Sequence, residues 1–181
     1  MHLEARRIIG IDPGTNILGY AVIEVVNKEI RILGIDVLKM QKTDDHPAKL
    51  KEIFENIQKI VAHFKPTEMA LEAPFFGKNV QAMLKLGRAQ GVAMAAGLTA
   101  GLSINEYSPK KVKQSVTGNG NATKEQVAAM LSQTFKKNIQ TEYLDATDAL
   151  GVAVCHYYQT NLNFGGAKFK DWKDFVIKSG K

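Results

Sequence analysis

The chain has 181 residues, 45% of them apolar, with a formal charge of +6 and an isoelectric point near 9.3. That length fits one domain with a sizeable core, and the apolar share excludes a disordered chain. No apolar run is long enough to span a membrane, no signal-type apolar segment precedes the first strand, and the single cysteine, Cys155, excludes an internal disulfide, so a cytoplasmic protein is expected.

In chain order, residues 7–11 read as a buried strand, and 18–26 and 30–39 as two more, with turns at Pro13-Gly14-Thr15-Asn16 and near Asn27-Lys28. Three strands joined by short turns suggest an antiparallel meander. The period then changes. Leu50, Ile53, Phe54, Ile57, Ile60, Val61 and Phe64 recur at spacings of three and four, which is an amphipathic helix between Pro47 and Pro66. The stretch "TEMALEAPFF" is a fourth strand, stopped by Pro74. A long helix follows over 79–101, then a fifth strand in "LSINEYS". Helices are expected from Pro109, from Thr123 and from Leu144, and Thr123 and Gln126 have the spacing of a capping box. The order βββαβαβααα is that of a mixed α/β domain, taken here as residues 1–160. Residues 161–181 form a tail of lysines, aromatics and glycines with no motif.

The acidic residues sit at element ends. Asp12 closes the first strand just before Pro-Gly, Glu72 lies near the end of the fourth, and Asp145 and Asp148 are one turn apart on one face of the last helix. Each has an ordinary explanation alone: a turn cap for Asp12, an edge-strand charge for Glu72, a helix N-terminal charge for Asp145. Together they do not. If the first and fourth strands are neighbours and the last helix packs beside them, four carboxylates converge. Two like charges at 4 Å repel by roughly 4 kcal/mol at an effective dielectric of about 20, so such a cluster requires protons or cations. An oxygen-only ligand set without Cys or His favours Mg²⁺ or Mn²⁺ over zinc, and two such ions about 4 Å apart would be a phosphodiester-cutting arrangement.

Four stretches, "IIGIDPGTNILGYAVI", "ALEAPFFGKNVQAMLKLGRAQGVAMAAG", "YSPKKVKQSVTGNGNATKEQV" and "DATDALGVAVCH", stand in this order over about residues 8–158. In order and spacing they resemble the RuvC family of Holliday junction resolvases, endonucleases of the RNase H-like (retroviral-integrase) superfamily. The resemblance implies a five-stranded mixed sheet flanked by helices. It implies that Asp12, Glu72, Asp145 and Asp148 are catalytic metal ligands, with two Mg²⁺ ions per site, for which Mn²⁺ can substitute. In some family members a histidine stands at the position of Asp145. It further implies a homodimer with one site per subunit, which cuts opposing strands of a four-way DNA junction to leave 5′-phosphate and 3′-hydroxyl ends. RuvA and RuvB, the branch-migration proteins, are the implied partners. Unlike many members, this chain has Ala73-Pro74 after Glu72, and the proline stiffens the loop that carries Phe75 and Phe76.

The basic residues divide into two groups. Lys78, Lys85 and Arg88 flank the 79–101 helix; Lys110, Lys111 and Lys113 precede the Gly118-Asn119-Gly120 turn, and Lys124 opens the next helix. Glycines allow close approach to a phosphate, and helix N-termini offer free amides. Lys113 and Lys124 match basic residues of the family's DNA contacts; a solvated lysine face is the ordinary alternative. Of Phe75 and Phe76, adjacent in sequence, one points outward to stack on an unpaired base or both pack under the loop; the resemblance implies stacking, with Phe75 at the family's position by direct offset. Gly87 and Gly91, among alanines, allow close approach of the sheet or of a twin helix. Cys155 reads as a small buried hydrophobe and His156 as structural or exposed, with no catalytic role for either.

Two other functions are weighed against the nuclease. Asp-Pro-Gly-Thr followed by Gly19 resembles the first phosphate loop of actin-like ATPases, but those enzymes use two lobes and this chain supplies one. A junction-binding module without cleavage would keep the lysines and lose the carboxylates, and here all four remain.

Overall fold

A computed structural model describes residues 5–42, 45–74, 79–139 and 144–164, with main chain only for 162–164. The expected meander is present: β1 (Arg6–Asp12), β2 (Ile17–Val26) and β3 (Glu29–Lys39) pair antiparallel. Asn27 and Lys28 make the β2–β3 turn at φ of 52° and 68°, the left-handed pair that a two-residue hairpin needs. Helix α1 (His46–Phe64) starts under Asp45, whose side chain accepts the Ala48 N–H, and stops at Lys65, left-handed ahead of Pro66.

Strand β4 (Glu68–Glu72) then crosses to lie parallel to β1 on the side away from β2, and β5 (Ser103–Tyr107) lies parallel to β4, after the intervening α2 (Val80–Thr99). The sheet order is β3-β2-β1-β4-β5. Three helices close the chain: α3 (Pro109–Thr117), α4 (Lys124–Phe135) and α5 (Leu144–Phe164). The capping box is formed: Thr123 accepts from the Gln126 N–H while the Gln126 side chain accepts from the Thr123 N–H. Helix α5 continues to Phe164, so the limit expected at residue 160 falls inside a helix rather than at a linker.

Two cores sandwich the sheet. Ile9, Ile11, Met69 and Leu71 face α1 and α2, where Ile53, Ile57 and Ala93 are fully buried. Ile8, Ala21 and Ala70 face the other way, toward α5 and the helices behind it. The period of two along each strand thus fixes which helix layer every strand residue meets. Gly10 lies on the α5 side, where a Cβ would fall 2.2 Å from the Ala149 carbonyl oxygen; only glycine permits α5 to pack this closely on β1.

Candidate active site

With Ile9 and Ile11 committed to the α1–α2 layer, alternation sends Asp12 to the α5 side. The same rule on β4 places Glu68, Ala70 and Glu72 on that side. The parallel register Ile11↔Leu71 brings Asp12 and Glu72 to neighbouring positions at the carboxyl ends of adjacent strands. Asp12 also pairs with Gly19 on β2, and a Cβ at Gly19 would lie 2.0 Å from the Asp145 carbonyl oxygen. That missing side chain is what seats the first turn of α5, with Asp145 and Asp148, against the end of β1.

The electrostatics record the convergence. Burial, then repulsion from Glu72, Asp148 and Asp145, pushes the Asp12 carboxyl up to about 8, with Lys124 opposing. Burial and the Asp148 charge push Glu72 up to about 7, against the pull of Lys124 and Lys113. Glu72, Lys113, Lys124 and Asp148 line one cleft of about 150 Å³, walled by Pro109, Val112 and Val127. Lys124 donates a hydrogen bond to Asp148 Oδ2, and this bond together with the surrounding carboxylates raises the lysine pKa against the effect of burial.

The family model for the crossover junction endodeoxyribonuclease RuvC matches residues 8–156. A RuvC from Cytophaga hutchinsonii is 56% identical over 174 residues, covering 94% of this chain and 84% of that protein. One from Porphyromonas gingivalis is 50% identical over 184 residues, covering 99% and 97%. This chain belongs to the RuvC family. Among solved structures, Thermus thermophilus RuvC superposes with a TM-score of 0.79 at 29% identity, covering 87% of this chain and 96% of that one. The same protein in complex with Holliday junction substrate gives 0.81 at 28% identity, with the same coverage. The RNase H-like architecture expected from the sequence is therefore the observed one.

All four carboxylates, and Lys113 and Lys124, fall inside the stretch matched to RuvC. The other basic residues are placed differently. Lys85 and Arg88 are exposed on α2 and are not among the walls of the carboxylate cleft. Phe75, Phe76 and Lys78 lie outside the described residues. Gly87 and Gly91 do not approach the chain's own sheet: a Cβ at either would meet nothing within 4 Å, while Ala89, Ala93 and Ala96 on the same helix are fully buried. His156 is fully buried rather than exposed, so of the two expectations the structural one holds.

One contributor to the site escaped the sequence reading. Gln90, 4% exposed, faces the end of the sheet from α2 and donates from Nε2 to the Glu72 carbonyl oxygen at 3.5 Å and to Glu106 Oε1. The Ala73 N–H donates to the Tyr107 carbonyl oxygen at 2.8 Å, extending the ladder one step beyond Glu72. The backbone that carries Glu72 is thus clamped from two sides. A glutamine one residue along from Ala89 on a stripe of small apolar residues was the available signal.

The donor chemistry fits a hard divalent cation. Asp12 and Glu72 are desolvated oxygen donors that repel one another, with Lys124 as the nearest counter-charge. As they stand, no three Asp, Glu, His or Cys side chains among the described residues are gathered closely enough to hold one ion. The Lys124 ammonium is paired with Asp148.

Proposed function

We propose that the chain is a divalent-metal-dependent endonuclease that resolves four-way DNA junctions by paired symmetric nicks, in homologous recombination and DNA repair. The observation that carries this reading is the pair Asp12 and Glu72, side by side on parallel strands and both held well above the carboxylate range by burial and by acidic neighbours. A protein accepts that cost where an external cation or phosphate-bound ion completes the site. Asp12, Glu72, Asp145 and Asp148 would hold two Mg²⁺ ions, or Mn²⁺ in their place. Bound there, the ions would activate the attacking water and stabilise the leaving oxygen, giving 5′-phosphate and 3′-hydroxyl ends.

The chain's own residues do the rest. Lys113, on the wall of the cleft, offers a cation to the phosphate beside the scissile bond, and Lys124 does the same once released from Asp148. Gln90 and the β4–β5 ladder keep Glu72 from shifting. Phe75 and Phe76, with Lys78, are assigned to the DNA, as are Lys85 and Arg88 further along α2. Symmetric cutting calls for a homodimer. The open face of α2, with Gly87 and Gly91 flanked by exposed Val80, Leu84 and Leu98, is suited to a twin helix. RuvA and RuvB are the proposed protein partners and the cytoplasm the proposed compartment. Among the described residues no helix is long and apolar enough to cross a membrane.

Asp12→Asn tests the reading on a synthetic four-way junction, with Mg²⁺ and with chelator. The wild type is expected to cut only with the ion. The variant is expected to lose about 10³-fold or more in cutting, from about 4 kcal/mol of lost ion stabilisation, while binding the junction as before. Cutting in chelator, or loss of binding together with cutting in the variant, would overturn it.

A further inference from the structure

A cleft of about 570 Å³ lies away from the carboxylates. It opens at the same end of the sheet, between the β1–β2 turn, the end of β3 and the first turn of α1, and Lys39, Lys42 and Lys49 are its charged walls. Asn16, Ile17, Met40 and Gln41 complete it. We propose that this cleft is a second phosphate-binding subsite, which grips the backbone of a junction DNA strand a few nucleotides from the point of cutting. The inference rests on the nuclease reading above and extends it to how the strand is held.

The cleft is tied to the carboxylates by the shortest stretch of chain. Asn16 stands four residues after Asp12. It is pinned on both sides: its carbonyl accepts the Met40 N–H at 2.9 Å, and its side-chain Oδ1 accepts from Lys49 Nζ at 2.7 Å. Lys39 pairs with Ile17 on β2, so it lies two strands across from β1. Val37 stands level with Asp12 two strands away at about 4.8 Å per strand, and Lys39 is two residues further along β3, so its backbone lies roughly 12 Å from that of Asp12. Successive phosphates of one strand lie further apart than the axial rise of about 3.4 Å, because the backbone winds around the duplex, so a strand crossing the sheet end from the carboxylates presents a phosphate about two or three along to the cleft.

The charge balance favours an anion. Of the nearby acids, Glu52 accepts the Gln41 N–H at 3.1 Å and Asp45 accepts the Ala48 N–H at 3.2 Å. Neither lines the cleft. Among the described residues the concave wall carries three lysines and no acid, which concentrates positive potential, and flexible ammonium groups suit a polyanion that must enter and leave. This wall is separate from Lys113 and Lys124, which line the carboxylate cleft on the α5 face.

The test is equilibrium binding of a synthetic four-way junction in EDTA across a range of salt, for wild type, Lys42→Ala and Lys42→Ala/Lys49→Ala. Each lost duplex phosphate contact lowers the slope of log K against log salt by about 0.9, so reductions of about 0.9 and 1.8 are expected. Junctions carrying one uncharged methylphosphonate near the cut locate the contact. Wild type should lose affinity when the neutral linkage lies about two or three phosphates from the cut, and the double variant should be indifferent to it there. Lys42 is exposed and lies between elements, so its single variant remains informative should the double variant unfold. If wild type binds and cuts but all three proteins share one slope and one methylphosphonate pattern, the subsite is wrong and the nuclease reading stands. If wild type neither binds nor cuts the junction, both fall together.

Discussion

Strand β4 carries two glutamates, four residues apart on the same face, in opposite electrostatic states. Burial alone would raise both. At Glu68 the guanidinium of Arg6 answers with a two-pronged contact, Nη2 reaching Oε2 at 2.6 Å, and His156 Nε2 lies 2.8 Å from the same oxygen. Hydrogen bonds and charge from these partners outweigh burial and hold Glu68 at about 2. An ionised Glu68 can only accept, so Nε2 of His156 carries the hydrogen; in the neutral ring Nδ1 then accepts from the Tyr107 hydroxyl at 2.8 Å. Arg6 goes on to Thr160, which ties the start of β1 to the end of α5. Glu72, at the other end, meets carboxylates instead and is pushed up to about 7. One glutamate is fully answered by the chain and therefore holds the fold together. The other is left short of positive charge, and that shortage is what makes its end of the strand a site.

This contrast predicts opposite pH responses. Asp12 and Glu72 have folded values near 8 and 7, above their ordinary 3.8 and 4.5. Between those limits the folded state binds more protons than the unfolded chain, so metal-free stability should fall as pH rises from about 4 to about 8. Shifts of this size in two largely buried carboxyls should together cost several kcal/mol. Glu68 acts in reverse: its folded value lies below the ordinary 4.5, so its contribution is present above that pH and is lost as pH falls toward about 2. Denaturant melts in EDTA should therefore show a stability maximum near pH 4–5, and Mg²⁺ should abolish the decline on the alkaline side only. A metal-free profile flat from pH 5 to 8 would mean that the carboxylates do not face one another.

The next largest effect is on the paired substitutions Glu68→Gln and Glu72→Gln. Removing one partner of a largely buried ion pair costs about 3 kcal/mol, so the first should lower stability by that order in metal-free buffer. The second removes repulsion and should raise it. Equal losses in the two variants, read from denaturant midpoints, would erase the distinction between the two ends of β4.

The element order, the meander and the capping box at Thr123 were legible because each rests on local periodicity or on a short turn, whereas the adjacency of Asp12 and Glu72 was expected only if the first and fourth strands were neighbours, an arrangement that came partly from the family resemblance. Asp145 and Asp148 were legible as a pair because helical spacing alone puts them on one face. What could not be read depends on register and on close approach between segments far apart in the chain. Glu68 becomes a structural glutamate only because β4 stands beside β1 with Ile8 opposite Glu68, and because α5 is long enough to bring His156 down to it. Gly10 and Gly19 look like ordinary strand glycines until α5 is laid across them. Gln90 is a polar residue on a helix until the end of β4 is found above it. Lys39, Lys42 and Lys49 are scattered over eleven residues and share a cleft only once the end of β3 meets α1.

Gly19→Ala probes how closely α5 must sit for the acidic end to work. The new Cβ would lie 2.0 Å from the Asp145 carbonyl oxygen and 2.9 Å from the Ala146 nitrogen, so the first turn of α5 must move. Overpacking of this kind costs about 2 kcal/mol, and it displaces Asp145 and Asp148 relative to Asp12. Stability should drop by about that amount, and junction cutting should drop further than stability explains. Wild-type cutting at a temperature where the variant is fully folded would show that the placement of α5 is not critical.

The smallest effect separates a permanent counter-ion from a provisional one. Arg6 is a fixed partner: its side chain is 23% exposed and bonded to Glu68, Thr160 and Asn161. Lys124 is half-exposed, and its partner Asp148 belongs to the carboxylates that divalent ions would claim. An exposed ion pair contributes at most about 1 kcal/mol, so Lys124→Ala should cost little without metal. It should cost nothing once Mg²⁺ saturates the site, because the ion replaces the ammonium. Magnesium should then bind the variant more tightly than the wild type by calorimetry, since no lysine has to leave. Arg6→Ala should be destabilised equally with and without Mg²⁺. Equal rescue of both variants by the ion would make the two ends of β4 alike. Weaker Mg²⁺ binding by Lys124→Ala would mean that the lysine helps to assemble the acidic end rather than standing in for its cation.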